Sequence, residues 1–181
     1  MVFTHDVEIA LQAAAFLANT LLDDDELNTV ASLGEYFKEF EYTGTHRRTR
    51  EELDMVRALR QEIHDLLLAP RDKAAGMVNK MLARNSALPQ LVRHDRLDWH
   101  LHAIQDTQPL ACRVAVETAM AMVDVIRADE HSRISLCEDE GCKRIVIDLS
   151  RNRSKIYCST TCGNRAAAAA YRARQAENPT K

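Results

Sequence analysis

The sequence predicts a mainly α protein of α+β class: a helical N-terminal domain with one short β-hairpin over residues 1–133, then a small four-cysteine zinc finger ending in a helix over residues 134–181. Three observations predict it. Apolar residues recur at spacings of three and four through most of the first part, one segment switches to strict alternation, and four of the five cysteines fall in the last quarter as two close pairs.

Asp6 to about Leu22 reads as the first helix, followed by the acidic break Asp23-Asp24-Asp25-Glu26 and a shorter helix from Leu33 to Tyr42. Thr49 with Glu52 has the pattern of a capping box, and Leu53, Val56, Leu59, Ile63 and Leu66 follow on one helical face, predicting a single amphipathic helix that ends near Pro70. Another helix is expected over Asp72 to Arg84. In Leu97-Asp98-Trp99-His100-Leu101-His102-Ala103 the period changes to two, which predicts a half-buried strand with Leu97, Trp99, Leu101 and Ala103 on its apolar side, paired with Pro89–Arg93. Its polar face carries two histidines, which reads either as a solvated face or as a ligand contact.

The next helix, about Pro109 to Ala128, confines its strongly polar residues to Arg113, Glu117, Asp124 and Arg127. Such a helix is buried on most sides, either as the central core helix or in a dimer interface. A domain boundary is expected near Asp129 to Ser135, and Cys112, alone on this helix, reads as a small buried hydrophobe.

The cysteines form Cys137-x4-Cys142, fifteen intervening residues, and Cys158-x3-Cys162. Close pairs at this spacing read as a metal site, and zinc suits them because four thiolates complete its tetrahedral shell. Ile145-Val146-Ile147 should form a strand after the first pair, and Ser150 to Ser154 a polar loop. From Cys162 onward, the alanines 166–170 and the following Tyr-Arg-Ala-Arg favour a helix, which places the second pair at a helix start.

Composition bounds the function. With 181 residues, 46% of them hydrophobic, and only 5 glycines and 4 prolines, the chain is neither collagen-like nor low-complexity. The longest apolar stretch, Ile9 to Leu22, falls short of about 20 residues and contains Gln12, Asn19 and Thr20, so no membrane partner is expected. The first residues show no basic region ahead of an apolar one, which leads to the expectation of a cytoplasmic protein. The net charge of −3 hides a division: residues 1–136 hold 15 basic against 22 acidic side chains, whereas 137–181 hold 9 against 5. An acidic body thus carries a basic, polyanion-seeking end, whose surplus of four falls to about two when four thiolates bind one Zn2+.

Cys137-x4-Cys142, Asp148 to Ser154, Tyr157-Cys158-Ser159, Cys162-Gly163-Asn164-Arg165 and Tyr171-Arg172-Ala173-Arg174 together resemble the bacterial CGNR zinc-finger proteins. The earlier part is similar to the ABATE domain that usually precedes this finger, at Phe16-Leu17-Ala18-Asn19-Thr20 and Trp99-His100-Leu101-His102. The resemblance implies a transcription regulator, often associated with actinobacteria and stress responses, with a sensor or dimerisation domain over residues 1–133 and a DNA-binding finger. It implies Zn2+ on Cys137, Cys142, Cys158 and Cys162, double-stranded DNA as partner, and room for a small-molecule effector and a homodimer. Two departures weaken phosphate attraction: Lys155-Ile156-Tyr157 replaces a basic, tryptophan-containing run, and five alanines replace further basic residues.

The candidate DNA contacts are Arg151, Arg153 and Lys155 on the loop and Asn164, Arg165, Arg172 and Arg174 on the helix. Arg165 and Arg172, seven apart, share a helix face, and Arg174 points the other way. Asn164 and Arg165 read equally well as structural groups closing the zinc turn. Asn19, Trp99, His100 and His102, from the segments that carry the ABATE resemblance, are the candidate effector contacts. The alternative function is a zinc-stabilised protein-interaction module without direct DNA binding, for which the alanine-rich helix offers a close-packing face. RNA binding has only one tyrosine near the basic loop to stack on. An enzyme is not expected, because four protein ligands leave zinc no open position.

Overall fold

The computed structural model describes residues 2–22, 26–93 and 99–177. Helix α1 spans His5–Asn19, α2 Val30–Glu39, α3 Arg50–Arg57, α4 Arg60–Leu67 and α5 Arg71–Arg84. Strands β1 (Gln90–Val92) and β2 (His100–His102) form an antiparallel hairpin with Leu91 opposite Leu101. Helix α6 spans Leu110–Arg127, a 3-10 turn follows at His131–Arg133, β3 (Ile134–Leu136) and β4 (Ile145–Ile147) form a second antiparallel hairpin, and α7 runs over Thr160–Glu177. The acidic break at 23–25, and the expected strand positions Leu97 and Asp98, lie outside the described residues. Among the described residues, no helix is long and apolar enough to cross a membrane.

Helix α6 is the central core helix. It packs against α1, α3 and α5, and Leu110, Val114, Val116, Ala119, Met122 and Val125 are all buried. Arg113 on the same helix is only 1% exposed. Its guanidinium donates to the backbone carbonyls of Gln108, Thr43 and Thr45, so the buried charge is held by peptide dipoles rather than by a carboxylate. This staples the loop after α2 to the start of α6. Gly44 completes the staple: its φ is +79°, and a Cβ there would lie 2.5 Å from the Asp106 carbonyl oxygen.

The expected amphipathic helix from Leu53 to Leu66 is two helices, broken at Ala58 and Leu59. The break lets the two halves serve different partners, α3 packing on α6 and α2, and α4 on α1 and α5. The capping box at its start is half realised. Thr49 accepts a hydrogen bond from the Glu52 N–H at 3.2 Å, but the buried Glu52 carboxylate reaches further back, to the N–H groups of Arg47 and Arg48 and to His46 Nδ1 at 2.8 Å.

The β1–β2 hairpin forms where the alternation places it, but with its faces reversed. Trp99 is 63% and Leu101 44% exposed, while His100 is buried and His102 half-buried. The reason lies beneath the strand: the histidines border a hollow that also holds Arg113, Glu117 and Asp106, charged groups that apolar side chains would leave without polar neighbours.

The finger is not an appendage. Ile134, Ile145 and Ile147 belong to the same apolar core as α1 and α6, with Leu149 packed against it. Asn19, at the last turn of α1, uses its amide as a clamp: Nδ2 donates to the Ile145 carbonyl at 3.0 Å, and Oδ1 accepts from the Ile145 N–H at 2.7 Å. Arg133 adds a second tie, donating to the carbonyls of Asp148 and Ser150 and to Glu130.

Candidate metal centre and its basic surroundings

Two backbone turns present the four sulfurs. Cys137 follows β3, and the turn to Cys142 is closed by the Cys142 N–H donating to the Asp139 carbonyl at 2.7 Å. Cys158 precedes α7 and Cys162 lies in its first turn, where the Ser159 hydroxyl accepts from the Cys162 N–H. All four Sγ atoms lie within 4.8 Å of one another, with Cys142 to Cys158 and Cys158 to Cys162 at 3.6 Å. A tetrahedron with Zn–S bonds of about 2.3 Å has edges of roughly 3.8 Å, so the set fits one zinc ion. No other His, Cys, Asp or Glu group among the described residues comes together as a metal site.

The groups around the sulfurs supply partial positive charge. The Cys158 N–H points at Cys137 Sγ at 3.4 Å, and Arg165 Nη2 lies 3.6 Å from Cys162 Sγ. Arg165 is itself held by Asp139, through Nε at 2.7 Å and through Nη2. That pairing keeps the Asp139 carboxyl below the usual carboxylate range. Of the two roles open to Arg165, the geometry supports orienting a ligand sulfur. Asn164 beside it is exposed.

The remaining expected DNA contacts divide in the same way. Arg153 is bound to Glu130 at 2.9 and 3.0 Å, and Glu130, also paired with Arg133, has its carboxyl pulled down by both cations, Arg133 first. Arg151, Lys155, Arg172 and Arg174 are exposed, and their side chains make no hydrogen bond or ion pair among the described residues. Arg165 and Arg172 therefore do not act as a pair, since one of them is turned into the zinc turn. Asp148, the lone anion of the basic stretch, shapes the loop by accepting from the N–H groups of Ser150 and Lys155. Beyond its first turns α7 is exposed on every face through Ala176, Ala166 excepted.

The four expected effector contacts do not meet. Asn19 is consumed by its clamp on Ile145, and Trp99 points outward. His100 and His102 line a cavity between α1, the loop after α2, and α6, with their Nε2 atoms 3.1 Å apart. Cys112 is half-buried and distant in sequence and role from the finger cysteines. The spacing reading missed Asp139, Glu130 and Asp148, although an acidic residue inside a Cys-x4-Cys turn and a lone anion in a cationic run were both visible signals.

The model of the CGNR zinc finger matches residues 133–175, and that of ABATE, described as a putative stress-induced transcription regulator, matches residues 11–129. No curated protein matches the chain. Because the second match spans about two thirds of its length, this chain belongs to the ABATE family, with a CGNR zinc finger at its C-terminal end.

Proposed function

We propose that the protein is a transcription regulator that binds double-stranded DNA through its finger, while the helical body receives the regulating signal. The observation that carries this reading is α7, a helix anchored at the zinc site and bare of packing beyond it, with Arg172 and Arg174 free to meet phosphates. A helix standing clear of its own domain has the width to enter a major groove. Arg151 and Lys155 flank it on the preceding loop, and Asn164 is exposed in its first turns. Arg153 and Arg165 hold the finger together instead.

Arg151, Lys155, Arg172 and Arg174 set the size of the effect. If each neutralises one phosphate, log affinity falls with log salt at a slope of about −3.6, and binding weakens roughly 150-fold between 50 and 200 mM salt. Anisotropy titration of the zinc-loaded protein with labelled duplex measures this slope. A flat salt response, or affinity unchanged by Arg172→Ala together with Arg151→Ala, would overturn the reading. A slope near −7 would mean that eight phosphates are engaged, as in a dimer.

A second reading is favoured by the exposed alanines 167–170, which offer a close-packing face to another helix. A stable protein complex insensitive to removal of Arg151 and Arg172 would support it. In either case the zinc is structural, because its four sulfur ligands leave no position for substrate.

A further inference from the structure

The cavity beneath β2 holds about 110 Å³, room for a compact molecule somewhat smaller than benzene's engineered site of about 150 Å³. Among its described charged lining residues acids predominate, beside the histidines His5, His100 and His102. Asp6 from α1, Glu41 from the loop after α2, Asp106, and Glu117 and Asp124 from α6 all contribute carboxyl groups. Among the described residues Arg113 is the one permanent cation in the lining, and its donors are already committed to three backbone carbonyls. Glu41 meets His5 at 3.0 Å at the exposed rim.

Glu117 is the distinctive group. It is half-buried, lines the cavity, and has no hydrogen-bond partner among the described residues. Burial, opposed by Arg113 and reinforced by the charges of Asp106 and Asp6, pushes it up to about 7. A carboxylate partly withdrawn from water and without a donor is left short of hydrogen-bond partners, which a bound donor would supply. The walls facing it, including Ile9, Phe40 and Met120, suit a short apolar body.

We propose that this cavity binds a small organic cation, with Glu117 as its counter-ion and Asp6 and Asp106 adding attraction. An anion is disfavoured by the carboxyl groups, and a neutral molecule gains nothing from the charges of Asp6 and Asp106. The site goes beyond the DNA-binding reading and does not depend on it.

The test uses the full-length, zinc-loaded protein with butylammonium as probe and butyrate and butanol as arms of similar size. Amide chemical shifts are followed at pH 7.5. Butylammonium should shift amides of α1, β2 and α6 saturably, butyrate should not, and Glu117→Gln should weaken the response at least tenfold. Asp6→Asn, on a different helix of the same lining, should weaken it by a smaller factor and guards against a folding defect at Glu117. Absence of saturable shifts with butylammonium would overturn the proposal, as would butanol matching it in strength, or both variants retaining full response.

Discussion

Glu117 makes stability depend on pH in a defined direction. Its folded-state carboxyl sits at about 7 against an ordinary 4.5, so between those values the folded chain holds a proton that the unfolded chain has released. Stability from this group is therefore full below about 4.5 and lost as pH rises through 7, a difference on the order of 3 kcal/mol. Glu117→Gln should match the parent near pH 5 and exceed it at pH 8, which urea denaturation at the two values measures. The four zinc ligands were legible as single residues because thiolate chemistry and spacing suffice to name them. Arg153 was not, and Arg165 stood open between two roles, since what decides each is an acid 23 or 26 positions away. A charge count registers a cation but not whether a neighbour has already engaged it.

Among elements, the tie between α1 and β4 is the most exposed to test. Asn19→Ala removes both hydrogen bonds to Ile145 and leaves its N–H and carbonyl without a protein partner in a half-buried site. The expected loss is about 2–3 kcal/mol, read from the denaturation midpoint, with zinc still bound. Asn19→Asp keeps the acceptor for the Ile145 N–H but faces the carbonyl with a second oxygen, so it should not rescue. Helix positions and the first hairpin were legible from periodicity, because an amphipathic period reports which face is buried. The break at Ala58 and the reversed faces of β2 were not. Both are imposed by what lies opposite: separate partners for α3 and α4, and a charged hollow under the histidines. An alternating pattern shows that a strand has two unlike sides, and which of them turns inward belongs to the tertiary environment.

For the whole molecule, the charge division suggested an acidic body with a basic module attached, and the division is real in sequence. What it could not show is that Ile134, Ile145 and Ile147 complete the core of the body. Removal of zinc should therefore do more than unravel the last forty residues. With the finger's turns released, β4 loses its anchor and α1 exposes part of its apolar surface. Chelation is expected to lower the melting temperature of the entire chain in one cooperative transition, followed by circular dichroism at 222 nm and near-ultraviolet signal together. Two separate transitions, with the helical one unmoved, would show that the core is divided after all.

Helix α1 touches the cavity with Asp6 and grips the finger with Asn19, and no loop interrupts it between the two. Its fifteen residues make a rod of about 22 Å. A tilt of about 5° at one end would carry the other by roughly 2 Å, comparable with the helix shifts that switch known regulators. A cation held at the acidic end would, through such a tilt, turn the basic loop, with the rod as crank and the amide of Asn19 as its pin.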